Sequence, residues 1–270
     1  MPTSILASLA LVLPFVRLPY SFGPIHPFGI LVGIGVALGF KLAMRRARAH
    51  GLDLERFERH VVWTVAIGFV SSHVLDTVFY HPEVLLARPW ELLLIYQGLS
   101  SFGGFLGGVV GFILYARRHQ IDPWRSADAI AYGLPVGWLF GRMGCASIHD
   151  HPGARSTSPL AVDWPGGSRF DLGLLELMLA PLLIVAVLLV ARRTKRPGAL
   201  ITTLALLYPP IRFPLDFLRA SAADGGDVRY FGWTPGQYAS AALFVVGLAL
   251  LRRTLRSPAE PAPPPPPAAD

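Results

Sequence analysis

The sequence contains little charge and a single cysteine. Only 15% of its 270 residues are charged, whereas 53% are hydrophobic. This apolar content exceeds what one water-soluble core needs, and it is concentrated in long runs, so a water-soluble globular domain is excluded. Because Cys145 has no second cysteine with which to pair, a disulfide framework within the chain is excluded as well.

Other signals are missing too. The basic segments lack the interleaved aromatic residues on which nucleic-acid bases stack, so no nucleic-acid partner is expected. No internal repeat of the kind found in secondary transporters is present. The apolar run 4–16 lacks the basic start and cleavage site of a signal peptide and is too short to span a membrane comfortably. We therefore predict an N-terminal interfacial segment at 1–22 and a disordered, Pro/Ala-rich cytoplasmic tail at 257–270.

Seven apolar runs are long enough to cross about 30 Å of hydrocarbon as helices. They are 23–44, 61–80, 95–115, 127–147, 172–191, 200–218 and 234–251. Basic clusters follow every odd-numbered run, at 45–48, 117–125, 192–196 and 252–256. Since such clusters stay in the cytoplasm, the sequence predicts an all-α, polytopic integral membrane protein of about seven transmembrane helices. Its transmembrane domain would cover 23–256, with the N-terminus extracytoplasmic and the C-terminus cytoplasmic.

Glycines recur in the third run. Gly103, Gly107 and Gly111 are four residues apart and share one helix face, with Gly104 beside them. Such a strip lets another helix approach closely. It would equally form a smooth floor for a lipid, and the sequence leaves both interpretations open.

Charged residues inside a span cost about 2.5–3.5 kcal/mol at the helix centre, so each one needs a reason. In the sixth run, Tyr208, Arg212 and Asp216 recur every four residues and share a face that we expect to point into the bundle. Arg142, near the end of the fourth run, is expected at a similar depth near the outer surface. Two arginines there predict an anion site, because the guanidinium fork suits phosphate. The structural alternative is a simple Arg212–Asp216 pair.

These segments resemble signatures of the prolipoprotein diacylglyceryl transferase family over 23–251. For the signature of the type Gly-Arg-x-Gly-Asn-Phe-x-Asn-Gly-Glu, the corresponding residues are Gly141, Arg142, Gly144, Asp150 at the glutamate and Gly153 at a later glycine. For the signature Tyr-x-x-x-Arg-Phe-x-x-Glu-Phe-x-Arg, they are Tyr208, Arg212, Phe213, Asp216, Phe217 and Arg219. A Gly-Gly pair is matched by Gly103 and Gly104, and weaker matches are Arg169, Glu176 and Gly236-Gln237.

The sequence also departs from the family pattern. Phe102 stands where the family has a histidine, and Phe28 stands where it has a tyrosine. Cys145 and Ile148 replace the two asparagines of the signature. These changes remove a proton acceptor and several hydrogen-bonding groups.

The resemblance implies a multi-pass enzyme of the bacterial inner membrane that works without a cofactor. It would transfer the diacylglyceryl group of phosphatidylglycerol to the lipobox cysteine thiol in the signal peptide of a preprolipoprotein. Arg142 and Arg212 would hold the leaving phosphate. Substrate-binding residues would be Gly103, Gly104, Gly144, Gly153, Tyr208, Asp216 and Arg219. The alternative is a catalytically silent relative that binds phospholipid or lipoprotein.

His149 and His151 flank Asp150 and follow Arg142 closely in the sequence. We hypothesise that they supply the missing base, with the carboxylate orienting one ring. The alternative is that they are solvated histidines of an external loop. Cys145 and the two histidines are also metal-ligand types, but three ligands without an obvious fourth do not predict a metal site.

Overall fold

The structure is a computed structural model that describes residues 13–16, 27–80, 82–94 and 100–259. Most of the predicted N-terminal segment, the tail beyond 259 and the beginnings of the first and third predicted spans lie outside the described residues. The chain is an all-α membrane protein, and 74% of its described residues are helical. Among the described residues, four helices are long and apolar enough to cross a membrane: Pro27–Ala49, Leu54–Val78, Leu172–Arg193 and Pro235–Arg256.

Eight helices are described, and seven of them contain 17 to 27 residues. They are α1 (Pro27–Ala49), α2 (Leu54–Tyr80), the short α3 (Pro82–Ala87), α4 (Ser101–Arg118), α5 (Pro123–Ile148), α6 (Leu172–Arg193), α7 (Ala199–Leu215) and α8 (Pro235–Arg256). Each predicted apolar run overlaps one of the seven long helices. That all seven cross the membrane stays a prediction.

Polar side chains fix where α6 and α8 begin. Leu174 donates its backbone N–H to Asp171 Oδ1 at 2.9 Å, which caps α6. At the start of α8, the Gln237 backbone N–H donates to Thr234 Oγ1 at 3.2 Å, and the Thr234 backbone N–H donates to Gln237 Oε1 at 3.0 Å. These bonds satisfy amides that the helices themselves cannot pair.

The chain divides into two compact units. Unit 1 comprises 1–39, 133–189 and 203–249, and unit 2 comprises 40–132, 190–202 and 250–270. Five helices contribute residues to both units, so this division does not test the predicted domain 23–256, which stays a prediction. All four basic clusters belong to unit 2, whereas both family signatures belong to unit 1.

In unit 2, α2 and α4 pack closely through small residues. A methyl group added at Gly103 would lie 2.8 Å from the backbone oxygen of Ser71, and one added at Gly107 would overlap the Ser71 side chain. At Gly111 it would lie 2.9 Å from Ile67 Cβ. The structure therefore supports helix packing as the role of this strip. Lipid contacts of Gly103 and Gly104 stay a prediction.

Unit 1 contains a small antiparallel sheet that the sequence analysis did not predict. It pairs β1 (Pro152–Arg155) with β2 (Arg169–Asp171). Gly153 of β1 also forms a bridge with Arg219. Because α7 ends at Leu215, Asp216–Leu218 form a 3-10 turn rather than the end of the predicted span. The sheet thus connects the segment after α5 with the turn after α7.

Candidate active site

The buried polar cluster of unit 1 is centred on Glu176 in α6. Arg142 Nη2, from α5, lies 3.1 Å from Glu176 Oε2. Arg212 Nε, from α7, lies 3.3 Å from Glu176 Oε1. Tyr208 donates its hydroxyl to Oε2 at 3.3 Å. Two guanidinium groups therefore converge on one buried carboxylate, as buried charges do when they must be paired.

Asp216 forms the second half of this cluster. Its Oδ1 accepts hydrogen bonds from Arg212 Nη1 and, at 3.1 Å, from Arg219 Nε. Its Oδ2 accepts from the Thr234 hydroxyl. A methyl group added at Gly236 would lie 2.7 Å from Asp216 Oδ2, so the cluster needs glycine there. Arg212 thus forms the ion pair with Asp216 that the sequence offered as a structural alternative. It also pairs with Glu176, the carboxylate that holds Arg142.

Besides Glu176, Arg142 lies close to an aromatic ring, a thiol and an imidazole. Its guanidinium carbon lies 4.4 Å from the centroid of the Trp138 ring. Its Nη1 lies 4.0 Å from Cys145 Sγ and 3.5 Å from His151 Nε2. His151 Nδ1 is hydrogen-bonded to Asp150. Since Nδ1 faces a carboxylate and Nε2 faces a donor, this network assigns the ring proton to Nδ1 and leaves Nε2 as an acceptor.

His149 has a separate set of partners. It directly follows α5 with a positive φ of 53°. Its Nδ1 is bonded to buried Asp171, and its Nε2 lies 3.2 Å from the backbone oxygen of Val16. The ring stacks on Phe15 at 4.4 Å and packs edge-on against Trp164. Both nitrogens of His149 face acceptor oxygens, whereas His151 Nε2 faces a donor and can itself accept a proton. The structure therefore favours His151 over His149 as the hypothesised base.

The predicted glycines of the signature stand in tight places. A methyl group added at Gly144 would lie 2.9 Å from Phe28 Cδ2. One added at Gly153 would lie 2.8 Å from the backbone oxygen of Leu218. Both positions therefore serve close packing in unit 1, and their contact with substrate stays a prediction.

Three possible metal ligands come together beside Arg142. Cys145, Asp150 and His151 each place one ligand atom within 4.8 Å of the others. Sulfur, oxygen and nitrogen donors of this kind suit a transition metal such as zinc. However, the Arg142 guanidinium lies against the sulfur and the imidazole nitrogen. Because a guanidinium repels a metal cation, the arrangement fits proton transfer beside an anion better than metal binding.

A family model of prolipoprotein diacylglyceryl transferases matches residues 17–253. The chain belongs to this family. The phosphatidylglycerol–prolipoprotein diacylglyceryl transferase of Agrobacterium fabrum is 30% identical over 86% of this chain and 90% of its own length. That of Rhizobium leguminosarum is 29% identical, over 96% and 99%. The enzyme of the same name from Thermus thermophilus is 38% identical, but the match spans only about half of each chain, 53% and 51%. The resemblance recognised in the sequence is thereby confirmed.

Glu176 is a residue of the candidate site that the sequence did not predict in this transferase-family chain. It matched the family only weakly, and the sequence analysis did not include it in the site. An acidic residue inside the apolar run 172–191 costs free energy in a membrane, as the buried arginines do. This cost was the signal by which the sequence could have identified Glu176. Of the departures from the family pattern, Cys145 lies beside Arg142 and Phe28 against Gly144. The side chain of Phe102 lies outside the described part of the chain.

Proposed function

We propose that this chain transfers the diacylglyceryl group of phosphatidylglycerol to the lipobox cysteine thiol of a preprolipoprotein and releases glycerol phosphate. The observation that carries the proposal is the convergence of Arg142 and Arg212 on Glu176 in a member of this family. Full-length relatives are named for phosphatidylglycerol and prolipoprotein. An anionic lipid and a thiol are therefore the substrates that the site has to accommodate.

The chemistry requires one bond to form and one to break. The thiolate sulfur attacks a glycerol carbon of the lipid, and the bond from that carbon to the phosphate oxygen breaks. The leaving phosphate takes the electron pair, and the guanidinium groups of Arg142 and Arg212 stabilise its charge. The thiol proton passes to His151 Nε2, while Asp150 orients the ring. Catalysis in this scheme is electrostatic stabilisation combined with general-base assistance.

Tyr208, Asp216 and Arg219, which the sequence predicts to bind substrate, position the two arginines in this scheme. Tyr208 bonds to Glu176, and Asp216 and Arg219 bond to each other beside Arg212. They hold the arginines in one geometry, so that little reorganisation is needed when the phosphate arrives.

We further propose that α1, α2 and α4–α8 span the bacterial inner membrane, with the N-terminus extracytoplasmic. The four basic clusters lie at or just after the ends of α1, α4, α6 and α8, which are the first, third, fifth and seventh long helices, and their expected cytoplasmic location supports this orientation. Reporter fusions should read cytoplasmic after Arg118 and external after Arg155. An external signal after Arg118 would contradict the seven-span topology.

Transfer of radiolabelled diacylglyceryl groups to a lipobox peptide tests the activity. Arg142→Ala and Arg212→Ala should each abolish transfer, and Arg→Lys variants should restore little because the bidentate fork is lost. Arg155→Ala is the matched control, since this exposed arginine bonds only to the Gly166 backbone among the described residues. Normal transfer by both alanine variants at equal membrane levels would contradict the phosphate role.

The silent-relative alternative has its own outcome in this assay. It takes the place of the proposed activity if the native chain binds phosphatidylglycerol but transfers nothing to lipobox peptides from several phospholipids. Complementation of a strain depleted of its own transferase gives the same answer in cells.

A further inference from the structure

Unit 2 contains a second cationic site that the proposed transfer does not use. It is a small solvent-open cleft, with about 20 Å³ of enclosed space, formed by the end of α1, the start of α5 and the connection from α6 to α7. Its charged and titratable lining residues are Arg46, His50, Arg125, Asp128, Lys195 and Arg196. Four cations thus face one carboxylate.

The carboxylate of Asp128 is already engaged by the backbone. Its Oδ2 accepts the N–H of Gly198 at 2.9 Å, and its Oδ1 accepts those of Leu200 at 2.9 Å and Ile201 at 3.1 Å. Asp128 therefore caps α7 and occupies the amides there. An ion pair requires a side-chain nitrogen and a carboxylate oxygen within 4.0 Å of each other. In the part of the chain that the structure describes, no carboxylate oxygen lies this close to Arg46, Lys195 or Arg196.

The imidazole of His50 experiences this excess of positive charge. Burial, followed by the charges of Arg46, Arg125 and Lys195, lowers the pKa of His50 to about 4. At neutral pH the ring is therefore uncharged, so it can donate one hydrogen bond and accept another. An anion bound among these cations would reverse the effect, because it would favour the protonated ring.

We propose that this cleft binds a phosphate group, which belongs either to a phospholipid headgroup or to free inorganic phosphate. Arginine forks bind phosphate oxygens in pairs, and Lys195 adds a compact charge. Arg46 lies over the Tyr132 ring at 5.3 Å, and Arg196 Nη1 donates to the Leu255 backbone oxygen at 2.7 Å. These contacts restrain the side chains before binding, which reduces the entropy that binding costs. Basic pockets between membrane helices are suited to phospholipid headgroups.

NMR of the His50 ring in the full chain, in zwitterionic micelles, tests the proposal. The signal is assigned with the variant His50→Gln, and inorganic phosphate and dihexanoyl phosphatidic acid are added separately. Bound phosphate should raise the pKa of His50 from about 4 to between about 5 and 7, so that the ring titrates in the pH range where histidines ordinarily do. A response to the lipid alone, or at lower concentration, identifies a headgroup site. A response to inorganic phosphate at equal or lower concentration identifies a free-phosphate site, and no response to either overturns the proposal.

Charge-matched variants separate a built site from diffuse attraction. Arg46→Gln/Lys195→Gln removes two lining cations and should weaken phosphate binding about tenfold or more. Arg45→Gln/Arg192→Gln removes the same charge from exposed residues of the same two clusters that do not line the cleft. This control should bind with native affinity, and equal weakening in both double variants would overturn the site.

The single variant Lys195→Gln tests the proposal even if the double variant does not fold. Because its side chain is exposed, Lys195→Gln should preserve the fold and still weaken binding by several-fold. Unchanged binding in this variant and in a folded double variant would also overturn the proposal. Transfer of diacylglyceryl groups is not part of this test, so its outcome is independent of the proposed function.

Discussion

Glu176→Gln removes the negative charge on which Arg142 and Arg212 converge but keeps the size of the side chain. The Glu176 side chain is 2% exposed, and those of the two arginines are 9% and 11% exposed. Removing one partner of a buried ion pair costs about 3–5 kcal/mol, because the remaining charge lacks both water and a counter-ion. Arg212 keeps Asp216 as a partner, so Arg142 bears most of the loss. We therefore expect the free energy of unfolding to fall by about 3 kcal/mol.

The matched control is Glu55→Gln. Glu55 pairs with Arg59 at 3.0 Å, but its side chain is 79% exposed. Water replaces the lost charge there, so we expect a loss of about 0.5 kcal/mol or less. Unfolding of both variants by dodecyl sulfate in mixed micelles would be compared with that of the native chain. Equal losses would refute the assignment of Glu176 as the buried counter-ion.

Phosphatidylglycerol should distinguish the two variants further. A phosphate bound between Arg142 and Arg212 supplies the negative charge that Glu176→Gln has removed. Added lipid should therefore restore part of the stability of this variant and leave Glu55→Gln unaffected. Equal stabilisation of both variants would show that the lipid acts on the micelle rather than on the arginines.

Four further substitutions have distinct expected outcomes. His151→Gln should lower turnover and leave lipid binding intact in a filter-binding assay, and undiminished turnover would exclude this base. His149→Gln should instead lower the free energy of unfolding by about 1–3 kcal/mol, since it disturbs the partner of buried Asp171. Gly103→Ala should destabilise by about 1–3 kcal/mol, because its methyl group collides with α2. Gly108→Ala, with its nearest neighbour 3.9 Å away, should have the melting temperature of the native chain.

The helices could be predicted from sequence because the length of an apolar run is a local property. Every long helix coincides with a predicted run, although α4 begins at Ser101 within the run 95–115. The β1–β2 sheet could not be predicted. Its strands contain four and three residues, and their pairing depends on a fold that also brings Arg219 against Gly153.

The candidate site was only partly predictable. The four-residue spacing of Tyr208 and Arg212 anticipated that both would point inward, because helical periodicity determines which residues share a face. Their meeting on Glu176 depends on how α6 packs beside α7, which spacing does not reveal. The two histidines are separated by a single residue, yet the positive φ at His149 turns the chain so that their partners differ. Sequence reasoning could name both but could not choose between them.

The partners of the arginines indicate where an anion fits best. Arg219 pairs with Asp216 and also reaches Asp227 at 3.4 Å, and Arg212 pairs with two carboxylates. Among the described residues, Arg142 pairs with a single carboxylate, Glu176, which it shares with Arg212, while its Nη1 faces an imidazole nitrogen and a thiol. A phosphate bound at this Nη1 would compete with His151 Nε2 for the same donor. Lipid binding would thereby free the nitrogen that accepts the thiol proton, so that one guanidinium couples the arrival of the leaving group to the availability of the base.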